Sequence, residues 1–338
     1  MFNFILNPCK PVKFNEKAIA KIIEEQGSII ADIKYDSVRC LLVIKPTADV
    51  KGRPAARCYA MSRSDKLLPA LRELFLDDNS MIAMGQLLSE SRYPDGMVID
   101  GEMMVKGVDF QTGSGMLRRK APISVDKLEY VIYGYLPLSH FTDNDKRVSF
   151  PTAACVMQAQ IGVLVHQVKE LLPALSWKQA TYYDVFDIES LHELYEQVRE
   201  AGHEGLVLKA PLNPWHRGKK VGQWKMKPED TIDGHVVGLL WGTVGKKYEG
   251  KVIGFEVELE DNGHVVRCDG LTDADIEKYT KKVLQTLCLE TAWDEGEGNP
   301  FHKWSIQIKF MERTPDGSLR HPKFDQWRGT ESDPTVKS

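Results

Sequence analysis

The first two thirds of the chain switch between stretches of helical and of strand-like apolar spacing. Residues 15–26 place Ala18, Ile22 and Ile23 on one helical face and end before Gly27, which predicts a capped helix. Short apolar runs predict strands, and longer amphipathic runs predict helices. The predicted strands are 28–34, 38–44, 97–105, 130–136, 206–209 and 223–227. The other predicted helices are 67–76, 153–172 and 188–201.

The pattern changes after Pro228. Residues 234–268 hold three alternating, strand-like stretches, followed by a predicted helix over 274–289 and a predicted strand over 304–311. About five strands with one interposed helix in roughly 100 residues are typical of a small Greek-key barrel of the OB type. The C-terminal part is therefore predicted to be an OB-fold.

Length and composition indicate two globular domains. At about 150 residues per domain, the 338 residues suit two, and we predict 1–230 and 231–338. The chain is 42% hydrophobic and 27% charged, which excludes a largely disordered protein. No apolar run approaches the ~18 residues of a membrane span, and the N-terminus lacks a signal-peptide layout. The six cysteines include no C-x-x-C pair, which argues against a zinc ribbon and favours a reducing, cytoplasmic compartment.

Net charge does not by itself indicate a nucleic-acid binder. The chain carries 44 basic and 48 acidic side chains, for −4. Any site for a polyanion must therefore come from local clustering. One cluster exists, because residues 210–228 contain no acid and five basic side chains: Arg217, Lys219, Lys220, Lys225 and Lys227.

The first candidate site is the stretch from Lys34 to Arg39, in which a lysine leaves a predicted strand and an acid and an arginine follow. Taken alone, such a stretch is usually a charged strand end at the surface. Its functional interpretation is a nucleophilic lysine, which attacks phosphorus only as the free amine. Burial or neighbouring cations would favour that neutral form.

Two further stretches offer a carboxylate and a ring. Asp100-Gly101-Glu102 ends an apolar run, and Glu102 can face solvent or can lie in a cleft where it binds ribose hydroxyls or a metal. Tyr133 can be a core residue or a platform on which a base stacks.

The last two stretches lie near the basic cluster. Glu204 and Lys209 bracket an apolar strand, and their spacing of five predicts opposite faces of a regular strand. Lys225 and Lys227 alternate and are expected on one face, where they form either a solvated basic surface or a phosphate clamp.

The order of these stretches is that of the covalent nucleotidyltransferases. On K-x-D-x-x-R, D-G-E, the aromatic strand, E-G-L-V-L-K and W-K-M-K-P, the chain resembles the ATP-dependent DNA ligases. It is most similar to the short single-chain ligases of podovirus-type bacteriophages, with extended likeness over 105–115, 202–205 and 314–322. The resemblance implies an α+β fold, with an antiparallel-sheet nucleotidyltransferase (adenylation) domain followed by a C-terminal OB-fold β-barrel.

The resemblance also implies roles for single residues. Lys34 would take AMP as a phosphoramidate, Tyr133 would stack on adenine, and Glu102 and Glu204 would be the metal-associated carboxylates. Arg320 and Arg328 would orient the pyrophosphate leaving group. The residues expected around the nucleotide are Asp32, Ile33, Tyr35, Arg39, Arg63, Glu102, Tyr133, Lys209, Lys219, Lys225, Lys227, Arg320 and Arg328.

The same resemblance implies ATP as a substrate, Mg²⁺ (or Mn²⁺), and nicked double-stranded DNA as the partner of a monomer. If the chain is phage-encoded, its compartment is the cytoplasm of the infected bacterial host. A predicted loop over 112–120, with Arg118, Arg119 and Lys120, is expected to contact the duplex. Two positions depart from the family: Ser37 replaces its usual glycine, and the last motif, 320–329, lacks the common R-x-D-K form.

Other functions stay open on the sequence alone. An RNA ligase or an mRNA capping guanylyltransferase belongs to the same superfamily, and a non-catalytic OB-fold nucleic-acid binder would need no nucleophile. NAD-dependent DNA ligases are disfavoured, because neither their nicotinamide-binding domain nor their four-cysteine zinc site is visible. Covalent labelling with ATP or GTP separates a ligase from a capping enzyme and an enzyme from a binder. Sealing of RNA ends would identify an RNA ligase.

Overall fold

The computed structural model describes residues 6–142, 147–228, 230–287, 299–314, 316–329 and 333–335. The chain divides into two compact units, Met1–Met226 and Lys227–Ser338. The boundary expected from the sequence lies at residue 230. No helix in the described ranges has both the length and the apolar character needed to span a membrane.

The first unit combines strands and helices. Its strands are β1 (Lys10–Lys13), β2 (Ile29–Lys34), β3 (Val38–Ala48), β4 (Pro54–Ser62), β5 (Met97–Val105), β6 (Leu128–Pro137), β7 (Ser149–Ala153), β8 (Ser176–Gln179), β9 (Tyr182–Val185), β10 (Gly205–Lys209), β11 (Pro214–His216) and β12 (Lys219–Met226). Its helices are α1 (Glu16–Gln26), α2 (Asp78–Glu90), α3 (Phe110–Arg118), α4 (Ala154–Leu171) and α5 (Ile188–Glu200).

Two five-stranded sheets organise this unit. The first has the order β1-β12-β10-β2-β9 and the second the order β4-β3-β5-β6-β8. Pairing is antiparallel except between β1 and β12 and between β6 and β8. Helices α1 and α5 bury their apolar sides on the first sheet, and α2 and α4 bury theirs on the second. The α+β, largely antiparallel fold class is confirmed.

The consecutive strands β2 and β3 belong to different sheets. The turn at residues 35–37 therefore carries the chain from one sheet to the other. Along β2, Ile29, Ala31 and Ile33 pack into the core of the first sheet. Because side chains alternate along a strand, Asp32 and Lys34 share the opposite face.

A β-bulge interrupts the pairing of β5 with β6. Asp100 lies opposite Gly134, but the next residue, Gly101, lies opposite Ile132, so Tyr133 is the extra residue on β6. Beyond the bulge, the face that carries Ile132 continues with Tyr135. Tyr133 comes directly after Ile132 and two residues after Val131, the partner of Glu102. Its side chain therefore lies on the face of Glu102 rather than on the face of Ile132.

The second unit is one antiparallel sheet with a helix. Its strands are β13 (Asp230–Trp241), β14 (Val252–Leu259), β15 (Val265–Cys268), β16 (Ser305–Phe310) and β17 (Lys323–Trp327), in the order β15-β14-β13-β16-β17. Helix α6 spans Asp273–Leu287. Five strands with one interposed helix agree with the OB-fold expected from the sequence. Residues 288–289 of the predicted helix lie outside the described residues.

Two predicted elements are wrong. The helix expected over 67–76 is only a 3₁₀ turn at Pro69–Leu71, and the helix follows instead as α2. Leu68, Leu71, Leu74 and Phe75 of this stretch are buried, whereas Leu67 and Leu76 at its ends are exposed. The apolar spacing therefore indicated the buried middle of the stretch but not its secondary structure. The expected loop over 112–120 is largely α3, whose N-terminus is capped by Asp109 through a 3.0 Å bond from the Thr112 amide. Its two glycines led us to expect a loop, and the cap outweighs their low helix propensity.

We predict that Gly101→Ala destabilises the protein by about 1–3 kcal/mol. A Cβ at this position would lie 2.3 Å from the Val131 carbonyl oxygen and 2.8 Å from Cζ of Tyr130. Tyr130 cannot easily move, because its hydroxyl donates to the carbonyls of Cys40 and Ile99. Urea unfolding measures the change.

The matched control is Gly115→Ala in α3, where a Cβ meets nothing within 4 Å. Alanine favours a helix over glycine by about 1 kcal/mol, so this variant should be slightly stabilised. Equal stability of the two variants would show that the bulge tolerates a Cβ.

Candidate active site

The residues singled out in the first motifs meet on one face of β2. Lys34 Nζ contacts a carboxylate oxygen of Glu204, and Lys209 Nζ contacts one of Asp32. Asp32 is 1% exposed and Lys209 is 7% exposed, so this second ion pair is buried. Buried charges are found paired, because an isolated charge in the interior is costly.

Glu204 and Lys209 reach the same face, contrary to the prediction from their spacing. Their partners, Lys34 and Asp32, are alternate residues of β2 and therefore point the same way. Glu204 lies just before β10, and Gly205 has a φ of +145°, so regular strand alternation does not extend back to the glutamate.

The second sheet supplies the other side of the site. Arg39 on β3 makes a bidentate pair with Asp100 on β5, with both N···O distances 2.7 Å. The Tyr133 ring lies 5.2 Å from Cζ of Arg39 and 5.9 Å from Nζ of Lys209. Tyr133 is therefore half-buried between cations of the two sheets rather than in the core. We call these eight residues the Lys34 cluster: Asp32, Lys34, Arg39, Asp100, Glu102, Tyr133, Glu204 and Lys209.

Glu102 has the most unusual electrostatics of the cluster. It lies directly opposite Arg39 on the neighbouring strand β3. Burial raises the pKa of its carboxyl from 4.5 to about 7, although Arg39 and Lys34 act in the opposite direction. Its Oε2 is buried and makes no hydrogen bond within the described part of the chain. This oxygen is thus available to a ligand.

Ser37, which replaces the family's usual glycine, is accommodated without strain. Its φ is not among the positive values found at non-glycine residues of the described ranges. Its hydroxyl donates to the Tyr35 carbonyl at 3.5 Å and also lowers the pKa of Glu102, which favours the ionised carboxylate. The substitution therefore adds a contact to the site and leaves the turn intact.

Other predicted residues lie outside the cluster. The Ile33 side chain is in the core of the first sheet. The Tyr35 hydroxyl is 3.3 Å from Oγ1 of Thr181, and its ring packs edge-on to His203. Arg63 is exposed in the turn after β4.

The predicted lysines around the phosphates divide into two groups. Lys225 lies opposite Val207, which lies opposite Asp32, so Lys225 points to the face of the Lys34 cluster. Lys219 is exposed at the start of β12, and Lys227 is half-buried just after that strand.

The last two predicted arginines belong to the second unit. Arg320 pairs there with Glu312 at 2.6 Å, and Arg328 pairs with Asp233 at 3.4 Å.

Sequence reasoning missed two residues that contact the cluster or belong to it. Asp100 had a local signal, because it stands two residues before Glu102 and therefore shares its face. Gln158 on α4 had none, since it is 126 residues from Asp32, to which its Nε2 donates at 2.8 Å. Burial raises the pKa of Asp32, while Lys209 and Gln158 counteract this.

The described residues contain no group of three or more His, Cys, Asp or Glu side chains placed to hold a metal. Protein ligands alone thus do not make a metal centre in this part of the chain. Mg²⁺ is commonly bound through one or two carboxylates together with substrate phosphates. Glu102, with its unpartnered buried oxygen, and Glu204 fit that mode.

Two sheets with this cluster between them, followed by the five-stranded unit, form a nucleotidyltransferase domain and an OB-fold. Residues 9–227 match the family described as ATP dependent DNA ligase domain, and residues 228–328 match the DNA ligase C-terminal domain. The chain belongs to the ATP-dependent DNA ligases.

Individual relatives agree with this assignment. The chain is 39% identical to the DNA ligase of Escherichia phage T7 over 373 aligned positions, which cover all of both chains. It is 36% identical to that of Enterobacteria phage T3, with 99% of each chain covered. The solved structure of the bacteriophage T7 ligase in complex with ATP matches with a TM-score of 0.62 at 38% identity, over 96% of this chain and 99% of that one. The predicted similarity to phage ligases is confirmed.

We predict that Glu102→Gln becomes more stable relative to the wild type as the pH rises from 5 to 7.5. The folded wild type holds a proton on Glu102 up to a pKa of about 7, whereas the unfolded chain releases it near 4.5. Wild-type stability therefore falls through this window, by up to about 3 kcal/mol, and stays level above it. Glutamine remains neutral at every pH, so the variant does not lose stability in this window.

Thermal unfolding of both proteins at a series of pH values, without nucleotide, measures the difference. Glu90→Gln, at the exposed end of α2, is the matched control for a glutamate-to-glutamine change. A stability difference for Glu102→Gln that does not vary with pH would contradict the prediction.

Proposed function

We propose that this chain seals nicks in duplex DNA with ATP through a covalent AMP intermediate on Lys34. The observation that carries the proposal is the position of Lys34 Nζ. It lies on a face shared with Asp32 and bordered by Tyr133, in contact with Glu204. A lysine so placed can reach a nucleotide bound between the two sheets.

In the first step, Lys34 Nζ attacks the α-phosphorus of ATP. An N–P bond forms, the P–O bond to pyrophosphate breaks, and the attacking free amine loses one proton to solvent. Phosphoryl transfer depends mainly on positioning and on neutralising charge. Lys209 and Lys225 supply fixed positive charge on the same face.

The remaining residues of the cluster hold the nucleoside. Tyr133 stacks on adenine, and its half-buried ring already lies between Arg39 and Lys209. Asp32 accepts from the base, and Glu102 binds the ribose. Ile33 and Tyr35 border the base through their main chain, since their side chains contact other parts of the first unit.

Glu102 and Glu204 would hold Mg²⁺, which supplies charge neutralisation to the phosphates when bound. Arg320 and Arg328 would orient the pyrophosphate leaving group. Each is a cation already fixed by a carboxylate of its own unit.

In the later steps, AMP passes to the 5′-phosphate of the nick, and the 3′-hydroxyl then displaces it. The duplex is a polyanion, so binding needs exposed cations. Arg63 and Lys219 are exposed, and Lys227 is half-buried. We propose that the protein works as a monomer in the cytoplasm of an infected bacterial host. The match of both units to DNA ligase families favours a DNA ligase over an RNA ligase, a capping enzyme or a non-catalytic binder.

The test of the proposal is Lys34→Ala. This variant should form no labelled enzyme–AMP and seal no ordinary nick, because no nucleophile remains. It should still seal a nick supplied with AMP already on its 5′-phosphate, since that step uses the 3′-hydroxyl. Gel assays with α-labelled ATP and with the pre-adenylylated nick measure both results.

Lys21→Ala, on the exposed side of α1, is the control. Undiminished labelling of Lys34→Ala would refute the nucleophile. Labelling of the wild type by GTP in preference to ATP would instead favour a capping enzyme.

We further predict that Tyr133→Ala raises the KM for ATP by about tenfold or more, because a base–aromatic stack contributes about 1–3 kcal/mol. Tyr133→Phe keeps the ring and should stay close to the wild type. Steady-state adenylylation kinetics distinguish the variants. Equal KM values for Tyr133→Ala and the wild type would show that the ring does not stack on the bound base.

A further inference from the structure

A chain of side-chain amides leads from β8 to Asp32. Gln179 Nε2 donates to the main-chain oxygen of Gln158 at 2.8 Å and to its Oε1 at 3.2 Å. Gln158 Nε2 in turn donates to Oδ1 of Asp32 at 2.8 Å. Gln158 is 3% exposed and Asp32 is 1% exposed, so the bond between them is buried, whereas Gln179 is half-buried.

The chain has a defined direction. An amide has one donor end and one acceptor end. Because Gln179 donates to Oε1 of Gln158, the donor end of Gln158 must face Asp32. The reversed amide would place its oxygen against the carboxylate and would leave the Gln179 donor facing another donor, and buried unmet donors and acceptors are costly.

The Asp32 carboxylate is consequently held from two sides. Gln158 donates to Oδ1, and Lys209 lies at Oδ2. Both neighbours are donors, so they favour the ionised form, which only accepts hydrogen bonds. A carboxylate has about four lone-pair positions, so acceptor capacity remains for a ligand.

We propose that Gln158 and Gln179 are positioning residues that make the enzyme select adenine over 6-oxopurines. The inference rests on the proposed function, which places the base beside Asp32. Adenine presents an amino donor at position 6, whereas guanine and hypoxanthine present a carbonyl acceptor there. An acceptor-only Asp32 matches the first and opposes the second. A protonated Asp32 could donate instead, and the selection would be lost.

Burial and the hydrogen bond from Gln158 have opposite effects on Asp32. Burial raises the pKa of its carboxyl, and the hydrogen bond from Gln158 counteracts that increase. Removing this donor raises the pKa of Asp32 further. The acid limb of the pH profile for ATP use should then move to higher pH, a change that a purely structural role of Gln158 does not produce.

The experiment compares the full-length wild type with Gln158→Leu and Gln179→Leu. Labelled enzyme–AMP formation is measured between pH 5.5 and 8.5, with unlabelled inosine triphosphate as the competitor, because it carries a carbonyl at position 6. We expect Gln158→Leu to lower the preference for ATP over inosine triphosphate by about tenfold or more. The KM for ATP should rise more than kcat falls. Gln179→Leu should act in the same direction and more weakly.

Gln167→Leu, nine residues further along α4, is the matched control and should keep the wild-type preference. If Gln158→Leu does not fold, as judged by circular dichroism, Gln179→Leu carries the test. A folded Gln158→Leu, or in its absence Gln179→Leu, with an unchanged preference and an unchanged acid limb overturns the inference. Absence of labelled AMP on the wild type would instead refute the proposed function, so the two failures are distinguishable.

Discussion

The alternation of side chains along β2 is the constraint on which the rest of the site depends. Three of its residues are fixed in the core of the first sheet, so Asp32 and Lys34 must face the other way. A buried aspartate in that position requires a cation, and β10 supplies Lys209. The chain then turns into β3 of the second sheet, which brings Arg39 to the same region. Lys34, the proposed nucleophile, is thus positioned by the core on one side and by ion pairing on the other.

The second sheet contributes its ring at one irregularity. Tyr133 comes directly after Ile132, which packs in the core, so its side chain lies on the opposite face. It is the extra residue opposite the Asp100–Gly101 step, and its ring lies against Arg39 and Lys209. The close approach of the two strands there requires Gly101, since any Cβ would meet the Val131 carbonyl oxygen. A small residue inside the D-G-E motif therefore makes room for the strand that carries the ring.

Sequence reasoning found the residues that a local pattern marks. Lys34 and Glu204 flank apolar strands and Glu102 directly follows an apolar run, and the structure brings all three to one site. The sequence did not reveal residues whose determining contact is distant along the chain. It also did not reveal a helix that depends on an N-terminal cap rather than on helix-favouring residues. Nothing near Gln158 shows that it reaches Asp32, and nothing near Glu204 shows that Gly205 breaks the alternation. The glycines after Asp109 suggested a loop, and the capping hydrogen bond that starts helix α3 cannot be recognised from apolar spacing.

The three ion pairs of the cluster differ in a way that suits a nucleophile. Asp32 and Asp100 have side chains only 1% exposed, so Lys209 and Arg39 cannot leave without exposing a buried carboxylate to an uncompensated environment. Lys34 and Glu204 are more accessible, with side chains 25% and 11% exposed. Separating them costs less, because water and substrate can solvate both groups. Two cations are therefore fixed in advance, which avoids reorganisation as charge develops on the phosphates. The third, Lys34, is the one free to lose its partner, as its proposed role as the nucleophile requires.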